Sequence, residues 1–287
     1  MKRAQRGIAL LVVMWACTLL AILLGGYAAL AHNEGLQASY QFEQTRAYYA
    51  AEAGVMRAIY ALQATNVNDR WVADGRLYPF VFDGAKVGIS VISESGKVDL
   101  NAASPDVLTN LFRLAGADPT RAAAVAQAVI DWRSFAISPQ QAAQRAAVYA
   151  AAGRDYGPRN GPFASVDELQ MVLGMDPALY AAVAPYVTIW SGRPSPDPNT
   201  APLLALASLP GMNLQRAAAM IAARPPLSAG NPVPGLVGNN GITHSIRSEA
   251  VLADGTRAVL HATVRLQGFR PGSQSFAVLR WQEGDEE

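Results

Sequence analysis

Met1-Lys2-Arg3-Ala4-Gln5-Arg6-Gly7 runs straight into Ile8-Ala9-Leu10-Leu11-Val12-Val13-Met14-Trp15-Ala16-Cys17-Thr18-Leu19-Leu20-Ala21-Ile22-Leu23-Leu24-Gly25-Gly26-Tyr27-Ala28-Ala29-Leu30-Ala31. Three positive charges and no negative one precede Ile8, and the 24 residues from Ile8 to Ala31 carry no charge. As a helix that run would be roughly 36 Å long, enough to cross a bilayer with some tilt. A secretory signal peptide has a shorter apolar core and an Ala-x-Ala type exit. Here the small residue, Gly7, comes before the run, where charge gives way to apolar sequence. Lys2, Arg3 and Arg6 predict a cytoplasmic N-terminus, as they would for an ordinary uncleaved anchor.

The helical pattern continues past the apolar run. Ala47, Ala51, Val55, Ala58 and Leu62 recur every three or four residues, as one face of a helix does. One helix from about Ile8 to Gln63 would measure roughly 84 Å. Half of it would sit in a membrane, and the other half needs a surface to lie against. Gly25-Gly26 lowers helix propensity locally, and a bend is expected there.

Composition sets the outer bounds. A chain of 287 residues holds one membrane segment and one or two folded domains. A net charge of +1 gives no electrostatic case for a nucleic-acid partner. The single cysteine, Cys17, lies in the apolar run, so the region beyond it has no thiol, disulfide or cysteine-based zinc site.

After Gln63 the sequence becomes strand-like. Tyr78 to Phe82 and Lys86 to Ile92 flank Asp83-Gly84, a strong hairpin signal, and Val98 to Leu100 is expected to continue the sheet. The far end reads the same way: Ile242 to Leu252 and Arg257 to Leu266 flank Asp254-Gly255, and Phe276 to Trp281 follows. The simplest fold pairs these two blocks into one antiparallel sheet. Everything between would then be an insertion.

That insertion is alanine-rich and helical, with a weak internal repeat. The copies run from Asn101-Ala102-Ala103-Ser104-Pro105 to Gly116-Ala117-Asp118-Pro119, from Ser165-Val166-Asp167-Glu168 to Gly174-Met175-Asp176-Pro177, and from Asn199-Thr200-Ala201-Pro202 to Gly211-Met212-Asn213. In each, Ser, Thr or Asn is expected to cap a first helix, with a capping box between Ser165 and Glu168. Gly ends that helix, and Asp or Asn opens the next. Pro-rich joints, from Arg193 to Pro198 and from Pro225 to Gly241, close the block.

Such turns resemble helix-hairpin-helix motifs, many of which hold DNA phosphates on backbone N–H groups. A packing hairpin is the better reading. Residues 101–224 carry nine Arg, no Lys and eight Asp or Glu, a net of +1, too little to neutralise several phosphates. Asp118 and Asp176 stand where a phosphate would approach. His32, His244 and His261 are scattered, and the last two fall on predicted strands, where a lone His is usually a sheet-surface residue. The sequence contains no His-Glu-x-x-His, Gly-x-Ser-x-Gly or P-loop motif. Asp155, Asp167, Glu168 and Asp176 are weak metal candidates, better read as caps and solvated surface, and they lack EF-hand spacing. Glu283 to Glu287 reads as a frayed acidic tail.

Taken together, Gly7-Ile8-Ala9-Leu10-Leu11-Val12-Val13, the long first helix, Val98-Asp99-Leu100-Asn101-Ala102-Ala103-Ser104, Asp131-Trp132-Arg133, Asn160-Gly161-Pro162-Phe163-Ala164-Ser165-Val166-Asp167-Glu168-Leu169 and Asn199-Thr200-Ala201-Pro202 resemble the minor pseudopilin K family of type II secretion systems. The resemblance implies an α+β, pilin-like fold: an N-terminal transmembrane helix packed on an antiparallel sheet, with a large all-α insertion of hairpin repeats. The expected divisions are a leader (1–7), a transmembrane segment (8–31), a periplasmic half of the helix (32–65), a sheet domain (66–100 and 236–287) and the inserted helical domain with its linker (101–235). It implies cleavage after Gly7 by the prepilin peptidase and N-methylation of Ile8. The protein would be an inner-membrane, single-pass, non-enzymatic subunit at the tip of a periplasmic pseudopilus. Its partners would be pseudopilins I and J, with H a further candidate, and no nucleic acid. Most pilins carry Glu at the fifth mature position, which here is Val12. A subunit without that carboxylate offers no partner to another subunit's N-terminal amine and suits the first position in a filament.

No cofactor is required. Members of the family bind calcium in the helical domain, but Arg133 and Phe135 stand where carboxylates are expected. The readings from other classes are a membrane-anchored DNA-binding protein using the hairpins, and an anchored periplasmic enzyme with an unrecognised site.

Overall fold

Helix α1 (Arg6–Leu62) is 57 residues of unbroken helix that passes through Gly25 and Gly26. That is about 86 Å at 1.5 Å per residue. The computed structural model describes residues 6–64, 66, 69–224, 242–267 and 274–284. The expectations placed on residues 1–5, on the linker from Pro225 to Gly241 and on the tail from Asp285 to Glu287 lie outside them. By length and composition α1 is apolar enough to cross a membrane, and side chains such as Leu11, Trp15 and Leu23 stand exposed on it.

Among the described residues seven strands follow: β1 (Asp74–Phe82), β2 (Ala85–Ser93), β3 (Val98–Asp99), β4 (Val187–Thr188), β5 (Thr243–Val251), β6 (Arg257–Leu266) and β7 (Phe276–Glu283). Five form one antiparallel sheet in the order β1-β2-β5-β6-β7. The two β-rich blocks therefore do pair, with Lys86 opposite Val251 and Ser93 opposite His244. The β1–β2 turn has φ of 46° at Asp83 and 78° at Gly84, both left-handed, as the tight hairpin turn matching strand twist requires.

The alternation of β2 buries Ala85, Val87, Ile89 and Val91 on the face that meets α1. Ile246, Ala250, Leu260, Ala262 and Val264 extend that face across β5 and β6. From α1 come Ala47, Ala50, Ala51, Val55, Ala58, Ile59 and Leu62. The Val, Ile and Leu side chains contribute roughly 1.5–3 kcal/mol each, and the alanines let the helix approach closely. The approach is tightest at Gly54, where a Cβ would stand 2.2 Å from Ser248 Oγ.

The sheet has two distinguishable ends. Arg46 Nη2 lies 3.5 Å from Asp83 Oδ2, which sets the β1–β2 turn beside the middle of α1. Gln63 Nε2 donates to Ser275 O at 3.0 Å, so the start of β7 lies beside the C-terminal end of α1. Ser93 and Thr243 share that second end, remote from the apolar half of the helix. The insertion leaves the sheet there.

Val98–Leu100 does not continue the sheet. A 3-10 turn at Glu94–Gly96 redirects the chain, and β3 pairs in parallel with β4. Gly96 packs so tightly on the backbone of Thr200 that a Cβ would lie 2.6 Å from its carbonyl oxygen. The inserted unit thus starts at Val98 rather than at Asn101. It contains α2 (Pro105–Leu114), α3 (Pro119–Arg133), α4 (Pro139–Ala151), α5 (Pro177–Val183), α6 (Leu203–Ala207) and α7 (Leu214–Ala222). Its own core is built on Leu108, Leu111, Phe112, Val129, Trp132, Phe163, Leu169 and Leu206.

His244 is not a sheet-surface residue. The pleat of β5 turns it to the same face as Ile246 and Ser248, and it is 3% exposed. Neither ring nitrogen has a hydrogen-bond partner among the described residues. Burial pulls its pKa down to about 4, against an opposing pull from Glu94. The unfolded chain therefore takes up this proton before the folded one does. Stability from a neutral His244 is full above about pH 6.5 and falls as pH drops towards 4, by roughly 3 kcal/mol in all. We expect thermal melts of the full chain to fall across that window, and His244→Leu to flatten the fall. An unchanged slope in the variant would assign the acid sensitivity elsewhere.

Candidate functional site: the processing segment and the insertion clasp

Gly7 and Ile8 lie within α1, which among the described residues runs from Arg6. The bond between them, the expected cleavage point, is therefore helical backbone.

The three repeat turns share one geometry. Gly116, Gly174 and Gly211 have φ of 105°, 81° and 76°, a left-handed conformation that side chains resist. The residue opening each second helix caps it. Asp118 accepts from the N–H groups of Thr120 and Arg121, both at 3.0 Å. Asp176 accepts from Leu179 N at 2.7 Å, and Asn213 from Arg216 N at 2.8 Å. These are the donors that a phosphate would need, and each is already taken. Arg121 then reaches across to Gly174 O at 2.9 Å and to the Asp176 carboxylate, locking the first turn to the second. The Leu179 N–H, aided by Arg121, holds the Asp176 carboxyl below the usual carboxylate range.

The first elements of the repeats are less regular than expected. Ser104 caps α2 through Val107 N. Ser165 forms no capping box, because the second copy opens with a 3-10 turn (Asp167–Met171) that has Val166 at its start and no side-chain cap. Glu168 reaches back one residue past Ser165, accepting from Ala164 N at 3.2 Å, and it also accepts from Trp132 Nε1 at 3.2 Å and Arg159 Nη1 at 2.6 Å. Asn199 is not a cap either, since α6 begins after Pro202 without a side-chain cap.

What the quoted motifs build instead is a clasp. Asp99 is 1% exposed. Its Oδ1 accepts from Asn101 N at 2.7 Å and Ala102 N at 3.2 Å. Its Oδ2 accepts from Ser191 Oγ at 3.1 Å and Gly192 N at 2.7 Å. One carboxylate thus ties the start of the insertion to the segment that follows β4. Asn101 adds a second tie, accepting from Phe163 N at 2.7 Å and donating to Phe163 O at 3.1 Å. Arg133 donates to Leu100 O at 2.9 Å and Ala103 O at 2.7 Å. Burial lowers the pKa of its guanidinium, with Asp99 pulling the other way. Trp132 packs between Tyr149 and Phe163, each ring centroid 6.0 Å away.

A second set of contacts fastens the clasped unit to the sheet. Asp197 N donates to Ser95 O at 2.8 Å, beside the close approach of Gly96 to Thr200. Arg224 Nη2 gathers Pro198 O at 2.7 Å and Ala201 O at 2.6 Å. Asn199-Thr200-Ala201-Pro202 is therefore the joint between the two cores.

The weak metal candidates do not converge. Asp167 accepts from Tyr180 Oη at 2.7 Å, and burial with that carboxylate pushes the Tyr180 pKa up to about 12. Glu168 and Asp176 serve the roles given above, and Asp155 is exposed. Among the described residues no group of three or more His, Cys, Asp or Glu is placed to hold a metal. Phe135 points into solvent, 74% exposed, and Arg133 holds carbonyls. These residues do not fit a bound calcium ion.

Sequence reasoning gave no role to Asp99 or to Arg145. The signal for Asp99 was a carboxylate between the apolar Val98 and Leu100. The signal for Arg145 was its isolation, as the only charged residue between Arg133 and Arg154.

Comparison with known proteins follows the same lines. The family described as Type II secretion system (T2SS), protein K matches residues 87–192, which hold most of β2 and the clasp. The type II secretion system protein K of Klebsiella pneumoniae is 30% identical over 207 residues, 65% of this chain and 63% of that protein. A chain in the crystal structure of the GspK-GspI-GspJ complex from the enterotoxigenic Escherichia coli type 2 secretion system shares the fold, with a TM-score of 0.61 at 17% identity over 87% of this chain and 100% of that one. Over residues 87–192 the chain is thus similar to the type II secretion system protein K family, and it spans about 63% of the length of the curated relative it matches.

Proposed function

We propose that this protein is a minor pseudopilin K, a non-enzymatic subunit at the tip of a type II secretion pseudopilus that helps to initiate and cap the filament. The observation that carries the reading is where the insertion leaves the sheet. It departs beside the C-terminal end of α1, remote from the apolar half, and the Asp99 clasp and the Asn199–Pro202 joint hold it there. A subunit stacked beyond this one would have to occupy the same space. Val12 supports the same position, because it offers no carboxylate to a further subunit's N-terminal amine. In this reading α1 is stored in the inner membrane with its N-terminus cytoplasmic, and the folded part is periplasmic. The prepilin peptidase cleaves after Gly7, and the partners are pseudopilins I and J, with H as a further candidate.

Two measurements test it. The full chain, extracted in detergent, is expected to co-purify with the I and J pseudopilins of the same system. Immunogold labelling of pseudopili made with an epitope-tagged version is expected to mark one end only. Label spaced along the shaft would make this an ordinary shaft subunit.

A further inference from the structure

Six oxygen atoms around the clasp are met by the side chains of Arg133 and Arg145, and four of them converge on the Arg145 guanidinium. Arg145 rises from α4, 15% exposed at its side chain. Its Nη1 donates to Ser134 O at 2.8 Å, Asn160 Oδ1 at 2.9 Å and Asp131 O at 3.2 Å, and its Nη2 lies 3.6 Å from Asp131 Oδ1. These oxygens come from the last turn of α3, the residue that ends it and the loop before Phe163. Two are backbone carbonyls, one is an amide oxygen and one is a carboxylate oxygen. That is the donor chemistry a hard cation takes.

The surroundings are built for a positive charge. Asp131 and Ser134 stand at the C-terminal end of α3, where unpaired carbonyls give the helix its negative pole. Asn160 has φ of 52°, a strained left-handed conformation for a residue with a side chain, and its Nδ2 donates to Pro158 O at 3.0 Å. Next to it Gly161 N donates to Trp132 O at 3.1 Å. The loop is thus wrapped onto the end of α3, and its amide oxygen is aimed at Arg145. α4 has few other holds on the domain: of its residues only Tyr149 is buried. Without Arg145 the α3 carbonyls and Asn160 would face each other with no positive group between them.

We infer that the Arg145 guanidinium is the resident cation of this oxygen-lined site, so that the helical insertion keeps its fold without a divalent metal. The family resemblance implied calcium in this domain, and here the positive charge is covalently part of the chain. Arg133, at the same end of α3, likewise takes Leu100 O and Ala103 O.

Thermal unfolding of the full chain in detergent tests this. The wild type is expected to melt at the same temperature in excess EDTA and in millimolar calcium chloride. A fall in EDTA would mean that a metal carries the load, and the inference would be lost. Arg145→Ala is expected to melt lower by several degrees and to regain part of the difference with calcium chloride or with low guanidinium, neither of which moves the wild type. Arg145→Ala melting with the wild type, or melting lower with no response to either cation, would show that these oxygens are not a cation site. Should the alanine variant fail to fold, Arg145→Lys decides: retention of the point charge is expected to keep its melt above that of Arg145→Gln, and equal melts would overturn the role of charge.

Discussion

Replacing Asp99 with alanine is expected to lower the melting temperature of the full chain by about 10 °C. The carboxylate is 1% exposed and accepts four hydrogen bonds, three from backbone N–H groups and one from a hydroxyl. Removing it strands those donors where water does not replace the lost acceptor. At about 1 kcal/mol per stranded donor the cost is roughly 4 kcal/mol, and each kcal/mol shifts a domain of this size by roughly 2–4 °C. Asp99→Asn is expected to recover less than half of that loss. Both carboxylate oxygens receive donors, so whichever end the amide nitrogen takes, it faces another N–H or O–H. The damage should be local, and limited proteolysis is expected to open the segment around Ser191 and Gly192 first. An Asp99→Ala variant melting within about 1 °C of wild type would mean that the clasp does not hold the insertion.

The position of that clasp explains why some of this molecule was legible and some was not. The first helix and the hairpins could be read because their signals are local. Ala47, Ala51, Val55, Ala58 and Leu62 fall on one face by period alone, and Asp83-Gly84 specifies a turn whatever surrounds it. The second-helix caps were legible for the same reason, since Asp118, Asp176 and Asn213 bond to donors two or three residues ahead. Expectations failed where a side chain had a distant competitor. Glu168 bonds back to Ala164 N rather than to Ser165, and it is shared with the more distant Trp132 and Arg159. Val98 has the composition of a sheet strand, yet the 3-10 turn before it sends it to Val187. His244 reads as surface on a strand taken alone, and only the folded chain shows it to be enclosed. Asp99 bonds to residues 92 and 93 positions away and Arg145 to residues 11 to 15 positions away, and no periodicity carries such information.

Gly7→Arg is expected to abolish processing and, with it, secretion. The charge-to-apolar boundary falls at Gly7, and the backbone is already helical from Arg6 onward. A peptidase working at this boundary has to bring its catalytic groups against the peptide bond between Gly7 and Ile8. Glycine, with no side chain, leaves that bond approachable. Arginine places a long charged group beside it and moves the edge of the polar segment one residue deeper. The fold gives no reason for the substitution to disturb anything else, because the buried face of α1 begins only at Ala47. The variant should therefore be made in normal amounts, stay in the membrane and keep the residues 1–7 that the wild type loses. Intact-mass measurement on protein from cells that contain the peptidase reads this directly. Wild-type protein is expected to begin at an N-methylated Ile8, and Gly7→Arg to retain Met1 or, after methionine removal, Lys2. On the proposed function the loss should be close to complete, since the helix would leave the bilayer for a filament only once the charged segment is gone. Wild-type protein that still carries residues 1–7 under those conditions would return the segment to the status of an ordinary membrane anchor, and the tip assignment would lose its entry route into the filament.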